Sequence, residues 1–375
     1  MAPGQTRRGG LLERRDLLKR AMAAGTLAGT GLGPFAEPAE ATGKPKAPDR
    51  PLVVEGLSAG SIRLSHLTGM QQGGVDCCVA SGPADMESFA ALLRFLDEHR
   101  SELVLAKSVA EIRQAQRDGR VSNVFGWQSA EALGSGFNSA LGTSRTALRA
   151  FAEIGLRMVG IAYNVTNVFG AGCLEPTVPL TRAGRRLVEE IHGFKLVLDV
   201  GGHTGEQTSL DALAMSSGVP VVCSHTNIKT LNDNARCTSD RVIDAIAATG
   251  GVIGLTAVSD FHVRARGNSG PLPQATLDQY LDQFDYLKKR VGVDHVGLGP
   301  DFVDGMAIPY GGGVNQDIMP PDLIGEPWRY VKGFESIAEL PNVIGGLKGR
   351  GWTAEEVTKA MGENWLRVYG KVWGA

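Results

Sequence analysis

The sequence predicts an α/β protein whose residues 51–375 form one (β/α)8 barrel, the TIM-barrel fold. Short runs rich in valine and leucine alternate about eight times with segments of helical apolar spacing, which favours a barrel over an open sheet. No GxGxxG motif follows a predicted strand, so a dinucleotide-binding sheet lacks its fingerprint. Fifty glycines and 43% hydrophobic residues suit a large core with many tight strand-to-helix turns.

The N-terminal segment 1–41 is predicted to be an export signal. Arg14 and Arg15 resemble a twin-arginine motif, an apolar run too short for a membrane span follows, and Ala39-Glu40-Ala41 fits a small-x-small cleavage site. The alternative is an ordinary basic, disordered N-terminus. Residues 42–50 are a polar linker rich in proline. We therefore expect an exported protein, periplasmic or otherwise extracytoplasmic, with the twin-arginine machinery as a partner.

The elements of the predicted barrel follow from apolar pattern and capping signals. Thr181 is a predicted N-cap, Thr353 and Glu356 form a predicted capping box, and Gly250 ends a helix. The predicted strands are 51–55, 75–80, 122–127, 158–162, 195–203, 219–225, 252–258 and 295–298. The predicted helices are 86–100, 144–154, 183–191, 206–217, 240–248, 276–291 and 353–369.

The stretch 198–236 is the centre of the prediction. Two apolar runs each end in a histidine, His203 and His225, with a helical segment between them. Strands in such a unit are parallel, so both imidazoles leave the barrel at the carboxyl ends of neighbouring strands, where parallel α/β folds bind ligands. Two converging imidazoles predict a metal site.

Other polar residues also follow predicted strands and would line the same mouth. They are Glu55, Gln128, Tyr163, Asn164, Asp260, His262 and Asp301. Asp301 is interpreted as catalytic, with a loop cap or Asx turn as the alternative. Arg236 could hold a substrate carboxylate through a bidentate contact, with a surface ion pair as the alternative. Asp260 and His262 are interpreted as polar loop residues.

Composition narrows the class of partner. The net charge of −2 gives no reason to expect nucleic acid or an anionic membrane. The five cysteines are odd in number and include no CxxC pair, so neither a disulfide framework nor a zinc-finger pattern is predicted. Cys223 is expected to pack in the core.

Several motifs together resemble the renal (membrane) dipeptidase family, the M19 metallopeptidases. The resemblance runs from about residue 120 to the C-terminus. It is carried by Asp199-Val-Gly-Gly-His203, Pro220-Val-Val-Cys-Ser224-His225, Asn234-Ala-Arg236, His295-Val-Gly-Leu-Gly299-Pro-Asp301 and Gly362-Glu-Asn364-Trp-Leu366.

The resemblance implies an amidohydrolase-type barrel with a two-zinc site that cleaves dipeptides. His203 and His225 would then bind one zinc ion. Asp301 would assist proton transfer, and Arg236 would hold the substrate carboxylate.

The sequence departs from the family where the other metal ligands are expected. Leu57 and Ala59 stand in place of the first strand's His-x-Asp, and Gln128 stands in place of the bridging glutamate. Tyr163 replaces a histidine on the substrate side. Two adjacent dications need anionic ligands to offset their repulsion, so a normal two-zinc site is not expected.

One zinc ion is therefore expected in preference to two, with a metal-free site as the alternative. Its ligands would be His203, His225 and Gln128, with Asp301 or a recruited Asp260 or His262 as other choices. A mononuclear zinc still acidifies its water to a pKa of ~7.

Three functions follow. The first is an exported metal-dependent hydrolase that cleaves a dipeptide or small amide. The second is a pseudo-dipeptidase that acts as a binding or maturation factor for a peptide-like compound, because a barrel core survives the loss of catalytic side chains. The third is changed chemistry on the same scaffold. A small peptide-like substrate is the expected partner, and the sequence leaves undecided whether the protein forms a homodimer.

Overall fold

Eight parallel strands close into a barrel in the computed structural model of the protein, which describes residues 50–134, 144–303, 316–325 and 327–374. The strands are β1 (Val54–Ser58), β2 (Cys77–Ser81), β3 (Leu103–Leu105), β4 (Val121–Trp127), β5 (Leu156–Gly160), β6 (Val197–Asp199), β7 (Cys223–Thr226), β8 (Ile253–Leu255) and β9 (Val296–Leu298). The short β3 pairs only with β4 and lies outside the ring of eight.

The ring is continuous through its neighbouring strands. One run has the order β1-β2-β4-β5-β6 and a second the order β7-β8-β9, all parallel. A parallel bridge between Asp199 and Val222 joins the two runs. On the other side, the Ala59 amide donates to the Phe302 carbonyl at 3.1 Å, between the ends of β1 and β9. The predicted (β/α)8 fold is confirmed.

Helices follow the strands and cover the barrel. They span Leu64–Gly73, Met86–Glu98, Val109–Arg117, Ser144–Ile154, Arg182–Gly193, Glu206–Ala214, Asp240–Ala248, Asp260–Val263, Leu277–Val291, Leu340–Gly349, Ala354–Thr358 and Asn364–Trp373. The last two are joined by a π-helical turn, Lys359–Glu363, so the predicted helix 353–369 is one helical run with an interruption. None of the helices in these described ranges is long and apolar enough to cross a membrane.

The caps predicted from sequence are present. The Thr181 hydroxyl accepts from the Gly184 amide, and Thr353 and Glu356 form the capping box. Thr276 forms a second box at the start of its helix. Such caps satisfy amides that have no partner within the helix and define where it begins.

Two apolar cores hold the barrel together. One lies between the strands and the surrounding helices, and the other fills the barrel interior. Trp365, from the last helix, reaches the interior and is fully buried. A Cβ at Gly56, Gly254 or Gly297 would approach its indole ring within 3.0 Å, so three strands need glycine there. The C-terminal helix therefore plugs one end of the barrel.

Some strand boundaries differ from the prediction in a way that matters for the site. The strand predicted over 51–55 is β1, Val54–Ser58, so Glu55 lies within the strand and not at its carboxyl end. Its placement at the mouth was wrong, because the strand begins three residues later than predicted. His225 lies inside β7, whereas His203 follows β6 by four residues. The predicted export signal, 1–41, and linker lie outside the described residues, except Arg50.

Candidate functional site

His225 is held by a buried chain of hydrogen bonds at the carboxyl end of β7. The Ser224 hydroxyl donates to an Asp199 carboxylate oxygen at 2.5 Å, and the same hydroxyl lies 2.6 Å from Nδ1 of His225. Because the single hydroxyl proton points to Asp199, Nδ1 of His225 must be the donor in the second bond. Its Nε2 is then an unprotonated acceptor, and that atom is buried without a hydrogen-bond partner.

His203 has the same tautomer for a similar reason. Its Nδ1 lies 2.6 Å from the side-chain oxygen of Asn164, which can only accept, so Nε2 carries the lone pair. Asn164 adopts a left-handed conformation with φ 59° and is fixed by a bond from its side-chain nitrogen to the Ile318 carbonyl. The ring of Tyr163 stacks on His203 at 3.8 Å.

The two histidines lie side by side and are electrically neutral. Their ring centroids are 4.9 Å apart. Burial, reinforced by the nearby Arg236 guanidinium, holds the pKa of both imidazoles well below the usual range. Neutral imidazoles with a free Nε2 and an oriented Nδ1–H are the form that binds zinc. The pair therefore fits one metal ion.

Arg236 is the largest charge beside the histidines. It is 1% exposed, and its Nη1 donates to the His225 carbonyl at 3.2 Å. Its Nε and Nη2 are buried and have no hydrogen-bond partner among the residues that the structure describes. These two atoms form one edge of the guanidinium, the edge that binds a carboxylate with two parallel hydrogen bonds. The predicted alternative of a surface ion pair is wrong, because the side chain is buried.

The close approach of Arg236 depends on one glycine. Gly202 has φ 61°, and a Cβ there would lie 1.5 Å from Nη1 of Arg236. Only glycine combines this backbone conformation with the absence of a side chain. The Asp-Val-Gly-Gly-His stretch thus makes room for the guanidinium.

Asp301 follows β9 in a left-handed conformation, φ 63°. Burial raises the pKa of its carboxyl to about 7; the positive charge of Arg236 opposes the rise and Glu55 adds to it. The pKa of Tyr163 is raised as well, mainly by burial and in addition by the negative charge of Asp301. A carboxyl that exchanges a proton near neutral pH, beside an arginine and a tyrosine, is suited to general acid–base chemistry.

Gln128, the remaining predicted ligand, is half-buried just past β4. It shares a cleft with Tyr163 that is also lined by Ser81, Trp127 and Ser129. Within the described residues, no hydrogen bond joins Gln128 to His203 or His225. Its role as a ligand stays a prediction.

Asp260 and His262 are occupied elsewhere. Asp260 pairs with the buried Arg264 at 2.8 Å, and Nε2 of His262 lies 3.1 Å from both the Asn227 amide nitrogen and the Thr256 carbonyl. Burial lowers the pKa of His262 to about 4. Both residues belong to a one-turn helix and not to a loop. Asp260 is therefore engaged in a structural ion pair, and His262 is engaged through Nε2, while its Nδ1 is buried with no hydrogen-bond partner among the described residues. Recruitment of either residue to the metal stays a prediction.

Two positions that the family resemblance assigns to metal ligands are apolar in this fold. Leu57 is fully buried in the barrel interior, and its carbonyl accepts from the Asp301 amide at 3.2 Å. Ala59 contributes only backbone hydrogen bonding at the closure of the barrel. The side of the mouth next to β1 therefore offers no charged ligand from these two positions.

Sequence reasoning did not assign the orienting role of the residues that hold the histidines. Asn164 was predicted to line the mouth, and Ser224 and Asp199 lie within the motifs, but a partner 39 residues away, such as Asn164 for His203, leaves no local signal. A second group was missed entirely: Glu55, His66 and Cys78 lie buried together outside the barrel mouth.

A parallel barrel with paired neutral histidines at the carboxyl ends of its strands is an arrangement that metal-dependent hydrolases use. The comparisons agree with this class. The sequence model of the membrane dipeptidase family (peptidase family M19) matches residues 83–326. The chain belongs to this family.

Similar proteins include a dipeptidase, tcpJ, from Claviceps purpurea, which is 28% identical over 284 residues. That alignment covers 75% of this chain and 58% of the relative's length, so the chain spans somewhat more than half of that protein. An amidohydrolase structure from Pseudomonas aeruginosa has a TM-score of 0.74 at 25% identity, over 87% of this chain and 97% of that one. A metallopeptidase from Rhodobacter sphaeroides, liganded with a phosphinate mimic of the dipeptide L-Ala-D-Ala, has a TM-score of 0.64 at 22% identity over 87% of this chain and 100% of that one. The family and these relatives support a metallodipeptidase-like hydrolase.

Proposed function

We propose that the barrel mouth is a hydrolytic site for a dipeptide or similar small amide and that it binds one zinc ion through His203 and His225. The observation that carries the proposal is the buried Nε2 of His225, which has a lone pair and no partner. The Ser224–Asp199 chain fixes that lone pair in place, as outer hydrogen bonds orient metal-ligating histidines. Gln128 would complete the ligand set.

The zinc ion would supply a water acidified to a pKa of ~7 and would polarise the amide carbonyl. The other steps belong to the chain's own residues. The free edge of Arg236 holds the substrate's carboxylate and thereby places the scissile bond relative to the histidines. Asp301 would accept a proton as the carboxylate and return it to the leaving amine; burial raises its pKa to about 7 in the metal-free chain, and a nearby dication would lower that value.

A dipeptide suits this arrangement better than a longer peptide. The guanidinium of Arg236 is buried and can pair with one carboxylate within reach of the histidines, as the terminus of a short substrate provides. The relatives named above point the same way, since one is a dipeptidase and another binds a dipeptide mimic.

The test compares His225→Ala with His192→Ala, which removes a half-buried histidine bonded to Ser216 on the outer helical layer. Elemental mass spectrometry and hydrolysis of a dipeptide panel are measured on both. We expect His225→Ala to lose one metal ion per chain and all metal-dependent hydrolysis, and His192→Ala to keep both. Unchanged turnover in His225→Ala would refute the proposal.

A second candidate function rests on Leu57 and Ala59. Their apolar side chains remove two ligands, which favours a pseudo-dipeptidase that binds a peptide-like compound without cleaving it. Tight binding of a peptidic ligand at saturating zinc, with no product, would support this alternative. Dipeptide turnover would exclude it.

We also propose export through the twin-arginine route, on the sequence of segment 1–41 alone. Arg14→Lys with Arg15→Lys is expected to retain the precursor inside the cell, whereas the unchanged chain is processed after Ala41. Processing and export that ignore this double change would refute the route.

A further inference from the structure

Glu55, His66 and Cys78 form a buried cluster on the outer face of the barrel. Glu55 and Cys78 are paired across β1 and β2, and their neighbours Val54 and Cys77 belong to the interior core. Strand alternation therefore points Glu55 and Cys78 outward, toward the helix Leu64–Gly73 that carries His66. One ligand atom of each of the three lies within 4.8 Å of the others.

The cluster is closed to solvent and incompletely satisfied. Glu55 and Cys78 have no exposed surface and His66 has 2%. One carboxylate oxygen of Glu55 lies 2.8 Å from Nε2 of His66, but the other is buried and has no hydrogen-bond partner within the described part of the chain. A buried carboxylate oxygen with no partner is costly, since desolvation is not repaid.

The donor set matches a borderline metal ion. One thiolate, one imidazole and one carboxylate are ligands that zinc accepts together. Ideal tetrahedral ligand atoms around zinc lie about 3.3–3.7 Å apart, as follows from metal–ligand bonds of about 2.0–2.3 Å. Because the three ligand atoms already lie within 4.8 Å of one another, side-chain shifts of about 1 Å would bring them to these distances.

The charges of the three ligands also favour a bound zinc ion. A carboxylate and a thiolate neutralise a dication completely, so the bound cluster would be buried without net charge. In the metal-free protein burial raises the pKa of the Cys78 thiol to about 12, so that thiol keeps its proton at neutral pH. Metal binding replaces this proton and releases it to solvent.

We propose that Glu55, His66 and Cys78 supply three of the four ligands of a buried zinc ion, separate from the barrel mouth, that fastens the first helix to β1 and β2. The proposed mouth site uses two imidazoles, whereas this cluster includes a thiol, so the two sites differ in chemistry as well as in place. The proposal does not depend on the proposed hydrolysis.

Cobalt distinguishes the two sites, because a thiolate bound to Co²⁺ gives a near-ultraviolet charge-transfer band that imidazole and carboxylate ligands do not give. The full chain is produced in Co²⁺-supplemented medium, so that the ion is present while the protein folds. Three variants accompany the unchanged chain: Cys78→Ser, the matched control Cys77→Ser on the same strand, and the double variant His203→Ala with His225→Ala. Absorption and cobalt content are measured on each.

The unchanged chain is expected to show the thiolate band. Cys78→Ser should lose the band and one cobalt ion per chain, whereas Cys77→Ser and the double histidine variant should keep it. Absence of the band in the unchanged chain would overturn the proposal, as would its persistence in Cys78→Ser. If Cys78→Ser fails to fold, X-ray absorption of the zinc-loaded unchanged chain decides, through the presence or absence of a Zn–S distance of about 2.3 Å. The double variant separates the two proposals, since loss of hydrolysis there leaves the band in place.

Discussion

Replacing Asp260 with asparagine tests whether this residue is structural or a metal ligand. Asp260 is 5% exposed and its partner Arg264 is 2% exposed. A single carboxylate oxygen accepts from Nε of Arg264 at 2.8 Å and from the Gly325 amide at 2.6 Å. The pair thereby ties the one-turn helix after β8 to the 316–325 segment.

The expected loss of stability follows from the positive charge of Arg264, which stays buried without its counter-ion. Arg264 keeps its bonds to the carbonyls of Asn268 and Gly270, but in Asp260→Asn its buried positive charge loses its counter-ion. Breaking a buried pair from one side costs about 3–5 kcal/mol. For a domain of this size such a loss lowers Tm by about 5–8 °C.

The assay is thermal and urea unfolding of Asp260→Asn beside Asp244→Asn. Asp244 binds Arg290 at 2.7 Å on the surface, where its side chain is 53% exposed. Removing one partner of an exposed pair costs about 0–1 kcal/mol, so the control should unfold close to the unchanged protein. A loss below 1 kcal/mol in Asp260→Asn would refute the reasoning. Loss of bound metal at unchanged stability would instead make Asp260 a ligand.

Three further predictions follow from burial and packing. Gly56→Ala places a Cβ 2.3 Å from the indole of Trp365 and should lower the free energy of unfolding in urea by about 1–3 kcal/mol. Gly345→Ala, in a helix where a Cβ meets nothing within 4 Å, should raise it by about 0.5–1 kcal/mol. Equal effects of the two substitutions would contradict the packing around Trp365. In the metal-free protein the pKa of Asp301 is about 7, against about 4 in the unfolded chain. Between these values the folded state binds one proton more than the unfolded state, so the free energy of unfolding falls as the pH rises from about 4 to about 7. Asp301→Asn should flatten this slope, and an unaltered slope would contradict the assignment. His262 should titrate by NMR near pH 4, below the usual ~6.5, and a midpoint above 6 would contradict its burial as a neutral ring.

Much of the barrel could be predicted because its elements carry local signals. The helices at Ser144–Ile154 and Asp240–Ala248 have the predicted bounds, since apolar spacing and, for the second, a terminal Gly250-Gly251 mark them. The helix Leu64–Gly73 was missed, because its N-cap Arg63 forms no side-chain cap. Three-residue β3 was also missed; only its first residue, Leu103, is buried, whereas the equally short β6, β8 and β9 are buried throughout.

The sequence predicted which two histidines form the candidate site, but it did not predict how their rings are oriented. The apolar runs before His203 and His225 place both at one end of the barrel, and the structure brings their rings together. Whether a ring nitrogen is an acceptor depends on Asn164 and on Asp199 through Ser224, contacts made between different strands and loops. Glu55 was assigned to the mouth because the strand was predicted to end there, whereas β1 runs three residues further along the chain and places Glu55 within the strand.

The indole of Trp365 makes the interior of the barrel depend on an element that is not a strand. It packs against glycines of β1, β8 and β9 and fills the space between them. Backbone pairing alone therefore does not complete this barrel, because the strands can hydrogen-bond to one another and still enclose an unfilled space. Removal of the helix Asn364–Trp373 would leave every strand in the chain and a cavity at the centre of the ring.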